Sequence, residues 1–141
     1  MIDSRTAPYA AFVLRAALGL MFIAHALLKY AVFTLPGTVK FFESLGLPGP
    51  LAYATILAEL VGGALILAGV GTRWVALALV PVLLGATWAH AGNGWLFTAQ
   101  GGGWEYPAFL AVSAIVQALL GDGKCALASL IANRKPLGAY A

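Results

Sequence analysis

The sequence predicts an all-α polytopic membrane protein: a four-transmembrane-helix bundle with a short interfacial helix between spans one and two. Composition is the first observation behind this. Of 141 residues, 62% are hydrophobic and only 9% charged, against roughly 45 to 50% apolar and about 25% charged in an average soluble domain. A mean hydropathy of +0.91 excludes a disordered chain as firmly as a soluble one. The second observation is that no charged residue occurs from Trp74 to Trp104. A hydrocarbon core about 30 Å thick takes about 20 apolar residues per helix, so the length allows three or four spans and no separate extramembrane domain. Third, period-two alternation is absent, and open sheets do not exist in lipid. Residues 1–141 therefore read as one membrane domain.

The first span is expected at about 9–33, opened by Pro8, where a missing N–H costs nothing, and closed by Pro36-Gly37. An Ala24-His25-Ala26 triplet mimics a signal-peptidase site. Arg15 interrupts the apolar run before it, the basic segment ahead is thin, and the run continues to Phe33, so a retained helix is expected. Val39 to Leu45 places apolar residues at helical spacing around a few charges, which suits a helix lying in the membrane interface. The second span, about 51–70, is entered through Pro48-Gly49-Pro50 and left at Gly71-Thr72-Arg73. The third, about 74–91, contains Pro81 as an expected kink. A glycine-rich stretch from Gly92 to Gly103 has no phosphate-loop spacing, so nucleotide binding has no support and a mobile loop is expected. The fourth span, about 105–120, ends at the Gly121-Asp122-Gly123 turn, and residues 121–141 form a tail.

Lysine and arginine placement sets the expected orientation. Arg5, Arg73, Lys124, Arg134 and Lys135 fall on one face, whereas the other has only Lys40, with Lys29 near it. Both termini are therefore expected in the cytoplasm, with Trp88, Trp95 and Trp104 at the outer interface and Trp74 at the inner one. The net charge of +3 is too small and scattered for a nucleic-acid footprint. Cys125 is the single cysteine, so neither an internal disulfide nor a dithiol pair can form, and it reads as a small apolar residue.

Six ionisable residues fall within or at the ends of the spans: Arg15, His25, Lys29, Glu59, His90 and Glu105. Charge in a span costs on the order of 3 kcal/mol, so such residues face the bundle interior, pair, or line a wet cavity. At 1.5 Å rise per residue His25 and Glu59 lie at about the same depth, and Lys29 falls one turn above His25 on the same face. His90 and Glu105 fall at the mouth of the same half. Arg15 is about 15 Å deeper and could snorkel to the cytoplasmic face or pair inward. Glu59 is followed by Gly62 and Gly63, small residues that let a neighbouring backbone approach, so its carboxylate is expected to point inward. The cluster can be read as an ion-pair network that fixes helix association, as a polar cavity for a small polar molecule or a quinone head group, or as a metal site. No H-x-x-H, E-x-x-H or cysteine pair gives the ligand spacing that the metal reading needs.

Arg15-x3-Gly19-Leu20-Met21-Phe22-Ile23-x-His25-x3-Lys29, then Gly46-Leu47-Pro48, Glu59-x2-Gly62-Gly63, Gly69-x-Gly71-Thr72-Arg73, Ala89-His90, Gly103-Trp104-Glu105-Tyr106 and Gly121-Asp122-Gly123 together resemble the DoxX family of small bacterial membrane proteins. The resemblance implies a four-helix inner-membrane protein in a redox context. Relatives include a subunit of an archaeal thiosulfate:quinone oxidoreductase and a mycobacterial protein that associates with superoxide dismutase and a sulfurtransferase. The chain itself carries no haem, flavin or iron–sulfur motif, so any electron carrier would be a quinone or belong to a partner. Three functions are compatible: an accessory subunit of a quinone-, sulfur- or oxygen-linked redox system, with a partner subunit or a second copy; a small transporter or proton conductor; and an anchor that holds a partner through the Asn133-Arg134-Lys135 tail.

Overall fold

The computed structural model describes residues 3–132, and the basic tail from Asn133 lies outside them. Every regular element among the described residues is helical. Helix α1 covers Ala7–Leu27 and runs into a π-helical turn, Leu28–Val32; α2 covers Leu35–Ser44, α3 Pro50–Ala68, α4 Thr72–His90, α5 Glu105–Leu120 and α6 Leu127–Ala132. Three of these, α1 with its π turn, α3 and α4, are long and apolar enough to cross a membrane. Helix α5 is equally apolar but has 16 residues, about 24 Å of rise.

Local sequence explains most boundaries. Proline opens α1, α2 and α3 within their first two positions, where no intrahelical N–H is needed. Gly69 ends α3 in the left-handed conformation (φ 71°), returning its N–H to the Ile66 carbonyl. Helix α4 runs unbroken through Pro81. The glycine-rich stretch folds back on itself: Trp104 and Glu105 donate backbone N–H groups to the Gly94 and Trp95 carbonyls, and a side chain at Gly103 would collide with the Trp95 and Leu96 carbonyls.

Successive long helices run antiparallel, α1 packing mainly on α3 and α4 mainly on α5. One end of the bundle, the loop end, carries α2 and the 91–104 loop; the opposite, terminal end carries the start of α1, the α3–α4 turn and α6. Leu18, Phe22, Ile66, Leu79 and Leu83 form the core with Ala76, Ala111, Ala114 and Ala118, small residues that bring α4 and α5 close. Large apolar side chains such as Val13, Leu57, Leu84, Phe109 and Leu119 point outward, which is the surface of a protein solvated by lipid.

Glycine sets the α1–α3 spacing. A Cβ on Gly63 would lie 2.9 Å from Phe22 Cβ and 3.0 Å from the Gly19 carbonyl, and one on Gly19 would lie 2.8 Å from Leu67 Cβ. Gly62 faces the other way, where a Cβ would meet Leu79 of α4 at 2.8 Å. We therefore expect Gly63→Val to push α1 from α3 and lower stability by about 1–3 kcal/mol. Gly85→Ala, at a position with open space around it, should be neutral or stabilising by up to about 1 kcal/mol. Unfolding of both variants in mixed micelles against rising SDS fraction reads the difference.

Candidate functional site

At the terminal end, Arg15 is 1% exposed and donates to four backbone carbonyls. Its Nη1 reaches Ile66 (3.3 Å) and Leu67 (3.0 Å), and its Nη2 reaches Lys124 (3.1 Å) and Cys125 (3.2 Å). Carbonyls at a helix C-terminus lack intrahelical donors and form the negative end of its dipole, so they offset a buried guanidinium without a carboxylate. Gly69 makes room, since a side chain there would collide with the guanidinium. Arg15 thus ties the end of α3 to the segment after α5, and of the two expected fates it takes the inward one. Asp122 complements it by accepting from the Thr72 N–H (3.0 Å) at the positive end of α4. Cys125 is exposed, with φ 57°.

At the loop end, Lys29 Nζ lies 2.8 Å from both oxygens of Glu59. Glu59 is 6% exposed, and its inward aim beside Gly62 and Gly63 matches the reading from sequence. His25 is arranged differently. Its Nδ1 is 2.8 Å from the Met21 carbonyl, and its ring stacks on Tyr106 of α5 with centroids 5.7 Å apart and planes 24° off parallel. A carbonyl can only accept, so Nδ1 carries the proton and Nε2 is the acceptor of the neutral ring. No hydrogen bond joins His25 to Glu59 among the described residues. The two side chains have different partners: Lys29 reaches α3, while the His25 ring lies on α5.

His90 and Glu105 organise the outer loop. His90 Nδ1 donates toward the carbonyls of Gly101 (3.0 Å) and Gly102 (3.1 Å), which also accept from the Asn93 amide. Glu105 Oε1 accepts from the Phe97 N–H at 2.9 Å. Together they hold Trp95 and Phe97 against the start of α5, where Trp95, Phe97, Glu105, Tyr106, Phe109 and Val112 line an open, largely apolar cleft of about 490 Å³. Trp104 stands edge-on to Trp95, centroids 4.5 Å apart. The six predicted residues thus occupy three places: Arg15 at the terminal end, Lys29 with Glu59 between α1 and α3, and His25, His90 and Glu105 around α5 and its loop. Sequence reasoning missed Tyr106, which joins His25 to the cleft; its adjacency to Glu105 was the available signal.

Breaking the partly buried pair should cost more than removing it. Glu59→Ala leaves Lys29 without its partner, an effect on the order of 3–5 kcal/mol, whereas Lys29→Met with Glu59→Leu should recover most of that loss. A double-mutant cycle on the SDS unfolding midpoint measures both.

The family model DoxX matches residues 10–92. Residues of the chain are 39% identical over 74 positions to a protein of Bacillus subtilis (strain 168) described as "Putative oxidoreductase CatD"; the match covers 52% of this chain and 54% of the relative, so the chain spans about half the length of the curated relative it matches. No solved structure matches. The matched segment runs from the start of α1 to the end of α4 and includes Arg15, His25, Lys29, Glu59 and the glycine seam. On that match, and with apolar helices of membrane-spanning length, the chain is a membrane protein that belongs to the DoxX family.

Proposed function

We propose that this protein is a quinone-binding accessory subunit of a redox system in the bacterial inner membrane, with four spans and both termini in the cytoplasm. The observation that carries the reading is the double placement of Tyr106, which lines the cleft beside α5 and also stacks on His25. A volume of about 490 Å³ lies within the roughly 300–1,000 Å³ of small-molecule sites. Its aromatic walls suit a planar apolar ring, with the Glu105 carboxylate and Tyr106 hydroxyl as polar groups among them. Phe109, 68% exposed, opens the cleft toward lipid, from which a membrane-dissolved carrier would enter. A quinone supplies the electron-carrying chemistry that the chain's own side chains do not. The protein contributes the walls, the polar contacts and, one ring away, a histidine whose Nε2 can hold a proton. The oxidoreductase description of the Bacillus subtilis relative supports the redox context.

Two measurements test this. In a Trp74→Phe/Trp88→Phe background, a short-chain ubiquinone should quench the emission of Trp95 and Trp104 saturably, and Tyr106→Ala should weaken binding about tenfold, equivalent to ~1.4 kcal/mol. Linear quenching without saturation, or equal affinity in Tyr106→Ala, refutes the quinone reading and leaves an anchoring role. For orientation, in a Cys125→Ser background a cysteine at Asn93 should react with a membrane-impermeant maleimide in intact spheroplasts. Reaction only in inverted vesicles would reverse the topology.

A further inference from the structure

We propose that α2 is a latched lid over the Lys29–Glu59 pair, and that Thr38 is the positioning residue that holds the latch shut. This goes beyond the quinone-cleft reading, and neither depends on the other. Thr38 is buried under α2 at 4% exposure, and its hydroxyl lies 3.0 Å from the Lys29 carbonyl in the π turn. The contact therefore ties α2 to the backbone of the residue whose amine pairs with Glu59. Pi-helical turns are strained departures from the α-helix that recur at functional positions, and here the turn begins at the residue before Lys29.

Three further features make the lid able to move. The Thr38 hydroxyl has one proton and two acceptors at equal distance, the Lys29 carbonyl and the Thr34 carbonyl one turn back on its own helix. When α2 lifts, the proton goes to Thr34, so the latch opens without stranding a buried donor. The segment is hinged at both ends in left-handed backbone: Gly46 at φ 76° after α2, and Thr34 at φ 64°, ψ 155° before it. That conformation is essentially reserved for glycine, and a β-branched residue held there stores strain that lifting α2 would release. The lid also has a seat. A Cβ on Gly49, at the start of α3, would lie 3.0 Å from Val39 Cγ1 and 2.9 Å from Glu43 Oε1, so α2 closes directly on the α3 backbone.

The test reads the reactivity of the Lys29 amine in the full chain, in detergent, with methyl acetimidate and quantification of each lysine by mass spectrometry. Thr38→Val keeps the shape and removes the hydroxyl; Lys29 should react about five- to tenfold faster, the effect of one lost hydrogen bond, while Lys40 and Lys124 are unchanged. Thr38→Ser should restore the slow rate. Independently, Val39→Cys with Gly49→Cys in a Cys125→Ala background should cross-link α2 to its seat. Lys29 in the oxidised form should then react several-fold more slowly than in the reduced form. Wild-type Lys29 reactivity in folded Thr38→Val, or equal rates in the oxidised and reduced cross-link variant, overturns the lid; if Thr38→Val does not fold, the cross-link comparison decides alone.

Discussion

Backbone contact between α1 and α3 through Gly19 and Gly63 is the constraint on which the polar architecture depends. With nothing larger than a hydrogen between them at these positions, the two helices meet closely enough for side chains at either end of the contact to bridge them. Arg15 spans the gap at one end and Lys29 at the other. Lipid offers no hydrogen bonds, so each bridge draws its partners from the protein. The two are met differently: the two Nη groups of the guanidinium share four carbonyls while its Nε is left without a partner, whereas the ammonium is matched by one carboxylate with both oxygens. Lysine could not replace Arg15, because a point charge on a flexible stem does not reach two separate pairs of acceptors.

Helix ends supply much of the remaining electrostatics. The carbonyls at the end of α3 face a cation and the first N–H of α4 faces an anion, so the α3–α4 turn carries a matched charge at each side. The terminal end is thereby fixed by contacts between side chains and backbone, several of them drawing on the Gly121–Cys125 segment. The loop end is built from longer-range pieces, namely α2, the π turn and the closed glycine loop. Its polar groups serve different purposes within a few residues of one another: an ion pair between helices, a histidine ring aimed at an aromatic cleft, and a second histidine that closes a loop.

The amino-acid sequence by itself determined the solvent, the helices and their order. These follow from local quantities: apolar run length, proline at helix starts, glycine after helix ends. Helix α5 has the bounds expected of its helix, Glu105–Leu120, and α2 lies where an amphipathic stretch between two prolines required it. The inward aim of Glu59 was also legible, because a carboxylate in lipid has few alternatives and the glycines after it mark a packing face.

Tertiary structure alone decided how the polar residues are divided. Helical spacing placed Lys29 above His25 on one face, but neighbours on one face of α1 can reach different helices, and Lys29 turns to Glu59 of α3 while His25 lies on Tyr106 of α5. Depth arithmetic located His25 and Glu59 at one level and could not say that they face different neighbours, since the rotation of a helix about its axis is fixed by packing. For the same reason depth could not say that His90 and Glu105 also hold the outer loop, through the Gly101 and Gly102 carbonyls and the Phe97 N–H. Whether a polar residue in lipid serves a site or a backbone depends on what the rest of the chain brings to it, and no local pattern records that.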